Sequence, residues 1–153
     1  MLDSPSEVAG VTKEEDLVGT WKLVSAWSTR PNGERVGIFG EHPIGFLTYT
    51  KDGRMAAMLG DSERPALSSD DDLVVPITER AAAFSSFGAY AGTFRVDGDC
   101  VIHHVEISLL QNWVGTDQVR RMKLEATRLT LWPPPSNLGG EQREYELVWE
   151  RLR

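Results

Sequence analysis

Features that stabilise or anchor an extracellular protein are scarce in this sequence of 153 residues. Its single cysteine, Cys100, has no partner for an internal disulfide, which is typical of proteins from a reducing compartment. Residues 1–10 combine acidic side chains with Ser and Pro and contain no apolar run of the kind found in signal peptides and membrane-spanning helices. These absences predict a cytoplasmic location.

Positive charge is also scarce. The chain has 16 Lys and Arg residues against 23 Asp and Glu residues, which gives a net charge of −7 at pH 7. The densest basic cluster is the segment RRMK at residues 120–123. A surface this acidic repels the phosphates of nucleic acids and of anionic membranes, so we expect neither as a partner.

Sequence motifs of the common enzyme classes are missing as well. There is no Gly-x-Ser-x-Gly elbow, no glycine-rich phosphate loop with a lysine, and no dinucleotide-binding fingerprint. His103 and His104 are adjacent on a predicted strand, where neighbouring side chains point to opposite faces, and His42 has no metal-ligand spacing to them. We therefore expect neither a metal nor a cofactor.

The overall composition is that of one ordinary globular domain. Hydrophobic residues make up 41% of the chain and charged residues 25%, both close to the averages for soluble proteins. We expect a flexible N-terminal segment at residues 1–15 and a single domain at residues 16–153. Thr12 and Glu15 form a capping-box pattern that predicts a short helical turn ahead of Leu17.

Strands dominate the secondary structure that the sequence predicts. In the first strand, which begins at Gly19, alternation places Trp21, Leu23, Ser25 and Trp27 on one face. Short runs of the same period, separated by turn residues, predict seven more strands at 45–50, 54–59, 90–96, 101–110, 118–124, 129–132 and 145–152.

One short helix accompanies these strands. It is predicted at residues 77–87, with Thr78 as its N-cap and with Phe84 and Phe87 on its apolar stripe. A pattern of eight to ten short strands with a single helix and a short N-terminal turn is typical of a mainly β protein. We expect an antiparallel barrel or sandwich.

Two neighbouring strands carry polar residues on the face that we predict to point inward. This face places His103, Gln118 and Arg120 in an otherwise apolar interior, which is costly unless a partner satisfies them. Tyr49 and Tyr90 point inward by the same alternation. The complete predicted face of the two strands consists of Val101, His103, Val105, Ile107, Gln118, Arg120, Met122 and Leu124.

These polar side chains form the candidate ligand site. Arginine can fix a carboxylate, enolate or phenolate, and histidine can move a proton near neutral pH. The alternative is an internal hydrogen-bond network without a ligand. Trp113, in the loop between the two strands, is a candidate cap for the pocket, and Phe84 and Phe87 are candidates for a lid. Ordinary packing is the alternative for all three.

The last predicted strand supplies a contact with the first strand and carries the last of several distinctive segments. Arg151 points inward on the last strand, and we expect it over the indole of Trp21 if the first and last strands pair. Five segments are distinctive: LVGTW at 17–21, LTYTKDGRM at 47–55, HHVE at 103–106, NWVGTDQVR at 112–120 and LVWER at 147–151. With them the sequence resembles the lipocalin-like domain family of bacteria and fungi from about residue 16 onward. The resemblance implies an up-and-down barrel of the calycin type, closed at one end by the Gly-x-Trp strand and a terminal arginine.

Three functions are open at this point. An eight-stranded barrel is just wide enough to bind one small, largely apolar molecule with an acidic or carbonyl group. Some small barrels of similar build act in natural-product pathways of secondary metabolism, which implies a cofactor-free cyclase or isomerase with His103, Arg120 and Tyr49 as catalytic residues. A filled barrel used for protein contacts is the third function. The sequence does not decide between a monomer and a homodimer.

Overall fold

The computed structural model of the protein describes residues 11–153, so most of the flexible segment predicted for residues 1–15 lies outside the described residues. The domain boundary at residue 16 stays a prediction. The elements in chain order are α1 (Glu14–Leu17), β1 (Gly19–Thr29), β2 (Arg35–Gly37), β3 (Pro43–Tyr49), β4 (Arg54–Asp61), α2 (Ile77–Ser85), β5 (Phe87–Asp97), β6 (Cys100–Ser108), a 3-10 turn (Gln111–Trp113), β7 (Asp117–Glu125), β8 (Arg128–Trp132), β9 (Ser136–Leu138) and β10 (Glu141–Arg151).

Eight of the ten strands in the described part of the chain form a closed antiparallel barrel. The pairing order is β1, β3, β4, β5, β6, β7, β8 and β10, and β1 pairs with β10 to close the sheet. The short strands β2 and β9 pair beside β1 and β10. The predicted mainly β fold, an eight-stranded up-and-down barrel with two helical elements, is confirmed.

Tight turns at glycine connect neighbouring strands. Between β3 and β4, Gly53 has a φ of 85°, a conformation that glycine adopts without steric cost, and Tyr49 pairs with Met55 across this turn. Gly98 has a φ of 60° in the turn between β5 and β6. Such turns keep consecutive strands adjacent, which produces the up-and-down order.

A β-bulge in β1 changes which side chains face the interior. The register with β10 shifts between Leu23 and Ser25, and Ser28 is completely buried. The prediction that Ser25 and Trp27 share a face with Trp21 and Leu23 is therefore wrong, because one extra residue reverses the alternation beyond the bulge. Trp27 lies on the outer face, where an arginine of β2 stacks on its ring.

A second bulge lies in β6. Its register with β5 shifts opposite Gly92 and places Ser108 across from Tyr90. Ile107, which we predicted to point inward, is 68% exposed on the outer face, so that prediction is wrong for the same reason. A Cβ atom on Gly92 would lie 1.8 Å from the carbonyl oxygen of His104, so only glycine fits where the strands approach.

Helix α1, Trp21 and Arg151 form what we call the closed end of the barrel. The indole Nε1 of the fully buried Trp21 donates a hydrogen bond of 2.9 Å to the carbonyl oxygen of Leu17. The Arg151 guanidinium lies 4.2 Å from the centre of the Trp21 ring, and its Nη1 donates to the carbonyl oxygen of Val18 at 2.7 Å. The first turn of chain is thereby held against the barrel.

Helix α2 differs from its prediction in both bounds and packing. It begins after Pro76, so the predicted N-cap Thr78 lies inside the helix, and it ends at Ser85 because Phe87 already belongs to β5. No residue of α2 is buried, and Phe84 is 48% exposed. Among residues 11–153, no helix is long and apolar enough to cross a membrane.

Candidate functional site

Three side chains from three strands form a hydrogen-bonded chain inside the barrel. The hydroxyl oxygen of Tyr49 lies 2.7 Å from Nε2 of His103, and the hydroxyl oxygen of Tyr90 lies 2.7 Å from Nδ1 of the same ring. Phe94 pairs with His103 across β5 and β6 and packs on Tyr49, with ring centres 4.6 Å apart. Both imidazole nitrogens are occupied, so the orientation of the ring is fixed.

Burial determines the protonation of this chain. His103 is 1% exposed, and its pKa is lowered to about 3, first by burial and then by the positive charge of Arg120. Burial also raises the pKa of Tyr49 well above 10 and raises the pKa of Tyr90, where the nearby Arg120 opposes the effect. All three groups are therefore neutral at pH 7.

Arg120 adds a positive charge beside them. The register of β6 and β7 places Gln118 opposite His103 and Arg120 on the diagonal. Arg120 is 8% exposed, its Nη1 donates to the carbonyl oxygen of Val119 at 3.2 Å, and its guanidinium acts to lower the pKa of the Tyr90 hydroxyl by its charge and by hydrogen bonding. Because a guanidinium has five N–H donors, this arginine keeps the capacity to bind a further oxygen. We call Tyr49, Tyr90, His103 and Arg120 the polar cluster.

Trp113 covers one side of the polar cluster. Its ring stands edge-on to Tyr90 with centres 5.2 Å apart, and the Arg120 guanidinium lies 5.6 Å from its centre. Its carbonyl oxygen accepts a hydrogen bond from Thr116 Oγ1 at 2.6 Å, and Thr116 Oγ1 lies 2.9 Å from the donor Nε2 of Gln118. Gln118 thus shares the inward face but is tied to the loop of Trp113.

The structure does not bring Phe84 and Phe87 to the polar cluster. Phe84 lies on the exposed helix α2. Phe87 pairs with Gly60 on the outer face, where the guanidinium of Arg64 lies 4.9 Å from its ring centre. The role of these two residues as a lid stays a prediction.

The inward face remains partly accessible beside the polar cluster. Tyr90, Gln118 and Ser108 face inward yet keep part of their surface exposed, whereas Val101 and Leu129 are completely buried. Tyr90 and Gln118 thus mark where the inward face meets solvent, next to the hydroxyl and guanidinium groups of the polar cluster.

Sequence reasoning missed further polar groups on the inward face. Nη1 of Arg143 donates a hydrogen bond of 3.1 Å to Oγ of the buried Ser28. Arg143 Nε and the indole Nε1 of Trp149 are buried and have no hydrogen-bond partner within residues 11–153. The alternation of the last strand, extended back from 145 to 143, would have shown Arg143. Ser28 carries no local signal, since only the bulge in β1 turns it inward.

Comparison with known proteins identifies the family. The sequence profile of the lipocalin-like domain family matches residues 18–152. The chain belongs to this family. It is also 36% identical, over 84 residues that span 48% of this chain and 75% of the relative, to the 4'-hydroxy-3'-methoxypropiophenone carrier protein ppsC of Aspergillus oryzae.

Two solved structures are similar to this lipocalin-like chain at low sequence identity. One is an uncharacterized protein from Bacteroides eggerthii, with 14% identity, a TM-score of 0.45, and coverage of 90% of this chain and 100% of the other. The second is the REP1-NXSQ fatty acid transporter, with 13% identity, a TM-score of 0.42, and coverage of 91% and 98%.

Proposed function

We propose that this lipocalin-like protein is a carrier that binds one small, largely apolar molecule inside its barrel. The observation that carries the proposal is the polar cluster, which offers hydroxyl and guanidinium donors beside apolar side chains of the inward face. Small-molecule pockets combine an apolar lining with a few such polar groups, which orient the ligand. The ligand therefore offers an acidic or carbonyl oxygen to the cluster.

The relative from Aspergillus oryzae supports a class of ligand. The compound in its name, 4'-hydroxy-3'-methoxypropiophenone, is an aromatic ketone with a phenolic hydroxyl. It joins an apolar ring to a carbonyl oxygen and a weakly acidic oxygen, and both oxygens suit arginine and tyrosine donors. We propose an aromatic ketone of comparable size as the ligand of this chain.

The state of His103 favours binding over turnover. A general acid or base works best with a pKa near the pH of the reaction. The pKa of His103 is about 3, and both of its ring nitrogens are engaged by tyrosines, so the ring does not exchange protons readily at pH 7. For this reason we rank the cyclase or isomerase with His103, Arg120 and Tyr49 below the carrier.

A filled barrel used for protein contacts stays an alternative. Tyr90 and Gln118, which keep part of their surface exposed on the inward face, favour a barrel that a ligand can enter. The cytoplasmic location expected from the single cysteine, and the expectation that neither nucleic acid nor an anionic membrane is a partner, stay predictions. So does the question of a homodimer.

Isothermal titration of the purified protein with 4'-hydroxy-3'-methoxypropiophenone tests the carrier function. We expect one molecule bound per chain. Arg120→Ala should weaken this binding about tenfold or more, because a hydrogen bond to a charged group contributes about 1.5 to 3 kcal/mol. The affinity for propylbenzene, which has the apolar ring without oxygens, should change little.

Arg121→Ala is the matched control. Arg121 is the next residue on β7, points to the outer face, and stacks on Trp132 at 4.3 Å. Its removal should leave both affinities unchanged. Equal losses for the ketone and the hydrocarbon in Arg120→Ala would exclude the role of Arg120. If neither compound binds to the wild type, and native mass spectrometry of the purified protein shows no retained small molecule, the carrier proposal is wrong.

A further inference from the structure

The two hydrogen bonds of His103 constrain where its proton sits. A neutral imidazole has one N–H donor and one acceptor nitrogen. Since the hydroxyls of Tyr49 and Tyr90 bind the two nitrogens at 2.7 Å each, one tyrosine donates to the ring and the other accepts from it. The tautomer of His103 therefore decides which tyrosine has a hydroxyl hydrogen to spare.

The surroundings of Tyr49 select the tautomer. Tyr49 is 1% exposed, and within residues 11–153 its hydroxyl has His103 as its hydrogen-bond partner. If Nε2 carried the proton, the hydroxyl hydrogen of Tyr49 would be buried without an acceptor, which is unfavourable because the group has lost its bonds to water. Tyr49 therefore donates to Nε2, and the imidazole proton lies on Nδ1.

Tyr90 is then left with a free donor. Its oxygen accepts the hydrogen bond from Nδ1 of His103, so its own hydrogen points elsewhere. Unlike Tyr49, Tyr90 keeps part of its surface exposed on the inward face. The positive charge of Arg120 acts on the Tyr90 hydroxyl and lies on the same side of the barrel.

We propose that the Tyr90 hydroxyl and the Arg120 guanidinium form a two-donor clamp for a single ligand oxygen. Tyr49 fixes the tautomer of His103 and thereby makes the Tyr90 hydroxyl a hydrogen-bond donor. The clamp selects molecules with a hydrogen-bond-accepting oxygen, such as a ketone or a phenolate, over hydrocarbons of the same shape. It rests on the carrier function proposed above and names the chemical group that this site recognises. Tyr49 is a positioning residue, because it acts through His103 and not on the ligand.

Nitrogen-15 NMR of the ligand-free protein, labelled in histidine, tests the tautomer directly. The expected spectrum shows His103 with a protonated Nδ1 and an unprotonated Nε2 at pH 7. In Tyr49→Phe the donor to Nε2 is lost, and the fraction with a protonated Nε2 should rise. A wild-type His103 protonated on Nε2 would overturn the assignment of Tyr90 as the free donor, whatever the ligand is.

Binding of propiophenone and of propylbenzene tests the clamp. Tyr90→Phe should lower the affinity for propiophenone roughly three- to tenfold, which is the effect of one neutral hydrogen bond. The affinity for propylbenzene should stay unchanged. Tyr49→Phe should reduce the preference for the ketone over the hydrocarbon, although Tyr49 itself does not contact the ligand. Tyr145→Phe is the matched control, because the hydroxyl of Tyr145 binds Ser136 away from the cluster.

The outcomes separate the clamp from the carrier function. If Tyr90→Phe binds the ketone and keeps the wild-type ratio of affinities for ketone and hydrocarbon, the clamp alone is overturned. If the wild type binds neither compound, the carrier function is contradicted. Infrared spectroscopy of bound propiophenone, labelled with carbon-13 at its carbonyl, supplies a readout that needs no variant. The carbonyl stretch of the bound ketone should lie at lower frequency than that of propiophenone in an apolar solvent. Equal frequencies would overturn the clamp.

Discussion

At the closed end of the barrel, the guanidinium of Arg151 donates to the carbonyl oxygens of Val18 and Asp16 and covers the ring of Trp21. At the polar cluster, the guanidinium of Arg120 donates to one carbonyl oxygen, that of Val119, and lies beside the Trp113 ring and the Tyr90 hydroxyl. Arg151 stabilises the fold, whereas Arg120 retains N–H donors for a ligand. These two inward arginines thus differ in the number of backbone carbonyl oxygens that accept hydrogen bonds from them.

Trp21→Ala should cause the largest loss of stability and so tests the structural role of the closed end. Removing a completely buried tryptophan leaves a cavity and orphans the carbonyl oxygen of Leu17, so the free energy of unfolding should fall by about 3 to 5 kcal/mol. Chemical denaturation measures this loss. Trp27→Ala, on the outer face of the same strand, should cost only about 1 kcal/mol. Equal costs would contradict the assigned faces.

Particular residues show how far local pattern predicts this fold. Period-two alternation and turn glycines such as Gly53 are local signals, and they predict the eight strands well. The bulges after Leu23 and opposite Gly92 have no periodic signature, so the inward positions of Ser28 and Ser108 could not be predicted. A single inserted residue reverses every later side chain of a strand.

The polar cluster shows the same limit. Alternation predicts that Tyr49, Tyr90, His103 and Arg120 point inward, yet it does not set the register between strands. Tyr49 lies 54 residues before His103 in the chain, and their contact depends on the closure of the whole barrel. The predicted apolar stripe of helix α2 is not buried, for another reason. An amphipathic pattern does not tell whether other parts of the protein pack against the stripe.

The pH dependence of stability should be the next largest effect, and it arises at the polar cluster. His103 titrates near pH 6.5 in an unfolded chain and at about 3 in the fold, so between these values the unfolded state binds more protons. Its contribution to the free energy of unfolding should therefore decrease by about 2 to 3 kcal/mol as the pH falls from 7 to 4.5.

Denaturation of wild type and His103→Gln across this pH range isolates the effect. The wild type should lose stability relative to the variant as the pH falls, because glutamine does not titrate. His42→Gln, at an exposed position, should keep the slope of the wild type. A constant difference between wild type and His103→Gln would show that His103 is not held neutral.

Arg151→Ala should cost about 1 to 3 kcal/mol, measured by denaturation, because two carbonyl oxygens lose their donor and Trp21 loses its cation–π contact. Ligand affinity should stay unchanged in this variant. A large loss of affinity would mean that the closed end takes part in binding.

Arg120→Ala should have the smallest effect on stability, below about 1 kcal/mol, because a poorly paired inward charge stabilises the fold little. Denaturation of this variant beside Arg151→Ala measures the difference between the two arginines. If Arg120→Ala is the more destabilising of the two, the roles assigned to them are reversed.

A crystal structure of the protein with 4'-hydroxy-3'-methoxypropiophenone would show whether the polar cluster holds the ligand. We expect one molecule inside the barrel, with one of its oxygens within about 3 Å of both the Tyr90 hydroxyl and the Arg120 guanidinium. Electron density for the ligand on the outer surface, or inside with its oxygens turned away from the polar cluster, would contradict this expectation.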